Sequence, residues 1–351
     1  MVQRLSVLDQ TIAAAGQPAH VAIRNTVALA QHCERLGYTR FWVSEHHNHP
    51  TILGTAPEIL ISAIAATTSR IRVGSAGIML PHYAPFKVAE QFRVLDALAP
   101  GRIDLGLGRA PGSDGLTAFA LHPLANERPA QFPADVRDLL AWVSGAPLAD
   151  GHPFAAVKAH PMSDTVPETW ILGSSTYGAQ VAAHFGLPYC FAWFFTDGQG
   201  ARQALRIYQG AYRPSERHPH PHAGICVWAL AAESEEEAQH HFTSRAVWRL
   251  SRDRGVFLPF EAPEVAAAQP LSPVEAKRVE QLRRDSLVGT KEQVAARIRE
   301  LALDLNVQEV AVVTWTYDEA VRRRSYELLA QAFGHARQDA PAIAESAPLQ
   351  S

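Results

Sequence analysis

The chain is poor in cysteine. It has three in 351 residues (Cys33, Cys190 and Cys226), and no two stand at Cys-x-x-Cys spacing. That argues against a disulfide framework and a zinc ribbon, and it fits reduced, buried thiols in a cytoplasmic protein. No basic stretch followed by an apolar run opens the chain, so no signal peptide is expected. No segment approaches the ~20 apolar residues of a membrane span. An excess of one charge is missing too: 32 Lys and Arg stand against 35 Asp and Glu, a net −3. Neither nucleic acid nor a membrane surface is therefore an expected partner. No Gly-x-Gly-x-x-Gly follows the first apolar run and no Gly-x-Ser-x-Gly occurs, which argues against a dinucleotide-binding open sheet and a hydrolase elbow.

What the chain has is apolar residues in a regular beat. Hydrophobic side chains make up 47% of it, ample for a large core and too many for disorder. Short apolar runs at 5–8, 40–44, 71–78, 103–107, 169–172, 188–193, 223–230 and 307–313 read as strands. Longer segments of helical period lie between them. About eight βα units is the count of a single α/β (β/α)8 barrel, a TIM barrel. An open doubly wound sheet is the alternative, normally shorter and carrying the missing glycine motif. Two irregular stretches interrupt the beat: 111–168 after strand 4, and 252–288 between strand 7 and the last βα unit. Both become long insertions on the barrel, and 252–288 is a candidate lid. Residues 1–335 then form the barrel, and 336–351, rich in Ala, Pro and Gln, a flexible C-terminal tail.

Catalytic residues of such barrels sit at the C-terminal ends of the strands. The second strand runs Phe41-Trp-Val-Ser-Glu-His-His47 and stops on a carboxylate and two imidazoles. His46 suits an acid/base or hydrogen-bonding role in a cavity, with a structural histidine as the other reading. His46 and His47 would point to opposite faces if the strand continued, so no metal site is expected. The turn Gly173-Ser174-Ser175-Thr176 ends a strand and opens a helix, with Gly178 one turn in. Backbone N–H groups at a helix start, two hydroxyls and the helix dipole suit a phosphate; a simple serine cap fits equally well. Arg109 is either a second phosphate partner or a structural ion pair. Trp193, Trp228 and Trp315 are barrel packing or a wall for a flat ligand. The run His218–His222, alternating with proline, is expected to be a solvated loop.

Four segments in order carry a family resemblance: Gly37-Tyr-Thr-Arg-Phe-Trp-Val-Ser-Glu-His-His47; Arg72-Val-Gly-Ser-Ala-Gly-Ile-Met-Leu-Pro81; Ala89 to Leu98 running into Gly101-Arg-Ile-Asp-Leu-Gly-Leu-Gly-Arg109; and Gly173-Ser-Ser175. Gly289-Thr290 also fits. Over roughly residues 3 to 335 the chain resembles the bacterial luciferase-like, flavin-dependent monooxygenase family. The resemblance implies a TIM barrel with FMN at its mouth. Ala76 and Gly77 would back the isoalloxazine ring across a non-prolyl cis peptide. Arg109, Ser174 and Ser175 would hold the phosphate, and Trp193 would lie near the flavin. His46 matches the catalytic histidine. Gly108 stands where the light-emitting member has a reactive cysteine, which places the chain nearer the non-luminescent branch. The reaction so implied uses reduced FMN and O2, through a peroxyflavin, to oxygenate a small organic substrate. A separate flavin reductase would supply the flavin, and a homodimer is expected. F420-dependent hydride transfer on the same fold, or non-catalytic flavin binding, are the alternatives.

Overall fold

Parallel strands buried on both faces read as mostly apolar runs, and these do apart from a set of buried polar positions. The ten residues Ala223–Ala232 are buried without exception. The strands are β1 (Arg4–Asp9), β2 (Arg40–Val43), β3 (Arg72–Met79), β4 (Ile103–Gly108), β5 (Glu168–Gly173), β6 (Tyr189–Phe191), β7 (Ala223–Ala232), β8 (Leu287–Thr290) and β9 (Glu309–Val313). They belong to a computed structural model that describes Val2 and residues 4–335; the tail 336–351 lies outside the described residues. Hydrogen bonds run β6-β5-β4-β3-β2-β1-β9-β7, and β6 pairs with β7 to close the ring. Eight parallel strands with helices between them make the expected (β/α)8 barrel, and both long insertions fall where the sequence placed them.

Local sequence explains where the outer helices begin and end. Pro57 and Pro85 open the helices Pro57–Ala66 and Pro85–Leu98, where a missing N–H costs nothing. Gly37, at φ +81°, ends the run that begins with the helix Ala19–Arg35.

The barrel interior has a charged floor and an aromatic upper part. Arg40, 3% exposed, bonds Asp104 (2.8 Å), Glu168 (2.6 Å) and Glu309 (2.9 Å), and Trp42 Nε1 donates to Asp104 (2.8 Å). Buried charges persist where they are paired in this way. Above the floor, Trp42, Trp170, Cys190, Cys226 and Trp228 pack together.

Close approach of β3 and β4 depends on glycine. A Cβ on Gly106 would stand 2.1 Å from Ser75 O, and one on Gly77 would stand 2.6 Å from Gly106 O. The register shifts between Ser75 and Ile78, and Ser75 Oγ covers the gap by donating to Gly106 O (2.9 Å).

Several elements differ from the sequence reading. The sixth strand ends at Phe191, so Trp193 opens a one-turn helix, Trp193–Thr196, rather than ending a strand. The stretch 252–288 is not irregular: it holds the helices Pro263–Ala267 and Pro273–Asp285 and runs into β8, which pairs with the C-terminal half of β7. Pro273–Asp285 buries only Val279 and Leu282, so its apolar period is faint, although its Ser272–Glu275 capping box was legible. A short helix Gly115–Leu121 buries Ala118 alone and has no period to find. His222 is not solvated. Half-buried, it sits 3.1 Å from Glu309 and 4.7 Å, edge-on, from the Trp170 ring.

Candidate active site

The site is assembled from the C-terminal ends of five neighbouring strands, β2 to β6. His46 follows β2. Ser44 Oγ and His46 Nδ1 share a 3.2 Å hydrogen bond, and the His46 N–H donates to Gly54 O (2.9 Å). Its Nε2 has no partner among the described residues. Burial, then the positive charges of His49, His47 and Arg252, hold the His46 pKa down at about 4. The imidazole is therefore neutral near pH 7, able to accept a proton or share one in a hydrogen bond.

Glu45 and His47 support that histidine. Glu45 is wholly buried and accepts from Tyr83 Oη (2.7 Å) and from the Met79 N–H (2.8 Å), with His47 Nε2 at 2.7 Å. The His47 N–H donates to Gly112 O (3.2 Å), tying the β2 loop to the loop after β4. His82 bonds Pro111 O at 2.6 Å and serves that same loop.

On β3 the Ala76–Gly77 peptide is cis. Ala76 packs on the Trp-rich interior cluster. Gly108 ends β4 opposite Met79, where a Cβ would approach Met79 Sδ to 3.2 Å.

Arg109 is exposed and makes no ion pair among the described residues. Its guanidinium lies 4.1 Å over the Tyr177 ring, in the first turn of the helix Thr176–Phe185. Ser175 occupies the cap position of that helix, yet its hydroxyl makes no cap hydrogen bond. Among the described residues the Ser174 hydroxyl has no partner either. Gly173 ends β5 and Gly178 is buried in the helix's first turn, so strand and helix meet with no side chain between them at these positions. Of the two readings left open for this turn, serine cap or anion cradle, the geometry lacks the cap. A free cation, two free hydroxyls and uncapped N–H groups form a donor set that fits a phosphate. Trp193 lies past β6 and lines a cavity of about 330 Å³ with Phe194 and Trp228.

Other contributors come from far along the chain, and no local sequence signal marks them. Arg252, on the helix Glu235–Asp253, stacks on Phe195 at 4.3 Å, and its charge reaches both His46 and His49. Phe257 packs 4.7 Å from His49, and Leu258 O accepts from Thr51 Oγ1 (2.8 Å). The start of the 252–288 insertion thus lies against the loop that carries His46. Among the described residues no three His, Cys, Asp or Glu gather as metal ligands, and no helix is long and apolar enough to cross a membrane.

A family model described as luciferase-like monooxygenase matches residues 4–307. The uncharacterized protein YwcH of Bacillus subtilis is 43% identical over 333 residues, 94% of this chain and 98% of that one. The N-acetyl-S-alkylcysteine monooxygenase of the same organism is 36% identical, with coverage of 94% and 98%. A crystal structure of apo-MsnO8 superimposes with a TM-score of 0.86 at 34% identity, covering 95% of this chain and 99% of that one. More distant structures share the fold alone. One is the oxygenating constituent of 3,6-diketocamphane monooxygenase in complex with FMN, at 19% identity, TM-score 0.67 and coverage of 94% and 97%. Another is an F420-dependent secondary alcohol dehydrogenase, at 14% identity, TM-score 0.67 and coverage of 95% and 99%.

Proposed function

The chain belongs to the luciferase-like monooxygenase family, and from that premise we propose that it is an FMN-dependent monooxygenase that oxygenates a small organic substrate. The observation that carries this reading is the donor set at the β4 and β5 ends: Arg109 free of any carboxylate among the described residues, beside a helix start whose Ser175 does not cap it. Reduced FMN, when bound, supplies the electrons and the site of oxygen activation.

The chain's own residues bind, orient and exclude water. Arg109, Ser174, Ser175 and the first-turn N–H groups of Thr176–Phe185 hold the phosphate. Gly173 and Gly178 keep that corner open to it, and Gly108 leads the chain from β4 into Arg109. Ala76 and Gly77 back the ring, and Trp193 borders it. Neutral His46 offers its unpartnered Nε2 to the reacting centre as a hydrogen-bonding or proton-accepting group. The insertion that packs on His49 and Thr51 acts as a lid that keeps the mouth dry. The same reading includes a separate reductase that delivers the reduced flavin.

A homodimer is part of the same proposal. Ile59 (67% exposed), Val94 (48%) and Leu98 (64%) stand on the outer faces of the second and third helices. Sedimentation of I59D/L98D against the parent chain tests it; a parent that sediments as a monomer removes it.

The decisive experiment for the activity is anaerobic titration with reduced FMN and with reduced F420, followed by mixing with O2. Saturable FMN binding and reoxidation slower than that of free FMN are expected. Binding of F420 alone, or reoxidation as fast as in buffer, refutes the reading.

A further inference from the structure

The described residues contain five buried arginines: Arg40, Arg93, Arg245, Arg249 and Arg322. Four have acceptors. Arg40 bonds Asp104, Glu168 and Glu309; Arg93 donates to Trp142 O (2.8 Å) and Pro161 O (3.0 Å); Arg249 pairs with Asp253 (2.9 Å) and Asp197 (3.1 Å); Arg322 pairs with Asp9 (3.1 Å) and Glu319 (2.7 Å). Arg245, 7% exposed, has none among the described residues. Its guanidinium lies 5.6, 5.4 and 5.1 Å from the rings of Trp228, Trp248 and Trp315, and its Nε is buried without an acceptor.

Two neighbours share the deficit. The indole N–H groups of Trp228 and Trp315 are also buried without acceptors among the described residues, whereas that of Trp248 donates to Leu258 O at 3.0 Å. One cluster thus holds three buried, orphaned donors. Buried polar groups are nearly always paired, so these call for an acceptor that the described residues do not supply.

Charge points the same way. Arg249 and Arg278 share Asp197 and Asp253 in a neutral quartet. Arg245 and the half-buried Arg252 are left over. Burial, then repulsion from Arg249 and Arg252, bring the Arg245 pKa down to about 9, the mark of a cation short of an anion. Arg245 lines the 330 Å³ cavity beside Trp193 and Trp228. Trp228 belongs to the barrel's interior cluster, and the charge of Arg252 reaches His46. Trp248 of the cluster stands 6.1 Å from the ring of His49, three residues past His46, so the cluster lies beside the loop that carries His46. Around the ring, the β5 and β6 ends lie between β7 and Arg109, which directly follows β4.

We propose that Arg245 is the receptor for a carboxylate on the substrate, which the guanidinium and the neighbouring indole N–H groups hold while the apolar remainder extends toward His46. The word substrate rests on the flavin reading above; the anion site does not. A planar guanidinium offers a carboxylate two parallel hydrogen bonds, and the three indoles exclude the water that would weaken them.

The test uses the full chain titrated with hexanoate, hexan-1-ol and hexylamine, read by tryptophan fluorescence and calorimetry. FMN is titrated in parallel into the parent, R245M, R245K and R109Q. Hexanoate is expected to bind at least ten-fold more tightly than hexanol or hexylamine, and to lose at least ten-fold in R245M. R245K should fall between, because it keeps the charge and loses the fork. FMN affinity should be unchanged in R245M, and hexanoate affinity unchanged in R109Q. R245M should melt at or above the parent's temperature, since it removes an uncompensated buried charge and keeps the apolar stem. Hexanoate that fails to bind, binds no better than hexanol, or binds R245M as well as the parent overturns the proposal. Loss of FMN affinity in R245M would make Arg245 a cofactor residue, and a markedly lower melting temperature would make it a structural one. Hexanoate binding without FMN binding would leave the anion site standing and remove the flavin reading.

Discussion

The Met79 N–H donates to the carboxylate of Glu45 at 2.8 Å, joining the end of β2 to the end of β3 just past the Ala76–Gly77 peptide. The other carboxylate oxygen takes Tyr83 Oη and meets His47 Nε2. Burial and this negative charge push the Tyr83 hydroxyl pKa up, so it remains a donor. One wholly buried side chain therefore fixes the residue before His46 against Met79, two residues past the cis peptide.

Glu45→Gln should break that clamp. An amide NH2 would face a backbone N–H or a phenol O–H, leaving a buried donor without an acceptor. A loss of about 1–3 kcal/mol in urea unfolding is expected, with lower turnover because His46 shifts. A variant with the parent's stability and turnover would show that the clamp is dispensable.

The glycines make opposite predictions at two positions. Gly106→Ala pushes a methyl group against Ser75 O, a backbone atom that cannot swing aside, and should cost about 1–3 kcal/mol or more. Gly210 sits inside the helix Ala201–Ala211 with nothing within 4 Å of a new Cβ. Gly210→Ala should stabilise by about 0.5–1 kcal/mol. Thermal melts of the two variants decide both.

Acid should weaken the fold through His46 and His49, whose pKa values both lie at about 4 against 6.5 for the free side chain. The folded values are the depressed ones. Their contribution is therefore fully present above pH 6.5 and is lost as the pH falls toward 4. For His46 the loss amounts to about 3 kcal/mol at most. Urea midpoints of the parent and H46Q at pH 7, 5.5 and 4.5 should converge as the pH drops. A constant gap would mean that His46 titrates normally in the folded chain.

Arg109→Gln should separate phosphate from ring. FMN affinity is expected to fall about ten- to hundred-fold, and riboflavin affinity to stay within two-fold, by quenching of flavin fluorescence. Equal losses for both ligands would place Arg109 against the ring instead.

Much of the fold was legible because parallel strands and their covering helices carry strong, different periods. The eight barrel strands lie within a few residues of their expected places, and Pro57, Pro85 and Gly37 marked helix ends by their backbone chemistry. The insertions were legible only as insertions. Gly115–Leu121 and Pro273–Asp285 bury too few residues to show a period, and β8 is four residues long. Trp193 was visible as a residue near the mouth but not as the start of a helix, because a single turn has no pattern of its own.

The sequence by itself determined the barrel, the strand ends on which His46, Arg109 and Ser175 stand, and through its spaced segments the family. These follow from local periodicity and chain order. Only the tertiary structure decided how those groups are employed. It left the Ser175 hydroxyl uncapped, gave Arg109 an aromatic neighbour instead of a carboxylate, and used Glu45 as a clamp. It also set Arg245 among three tryptophans, on a helix some 200 residues past His46, and left it unpaired among the described residues. Pairing of buried charge is a property of neighbours in space, and whether an arginine has found its carboxylate is written in no local stretch of sequence.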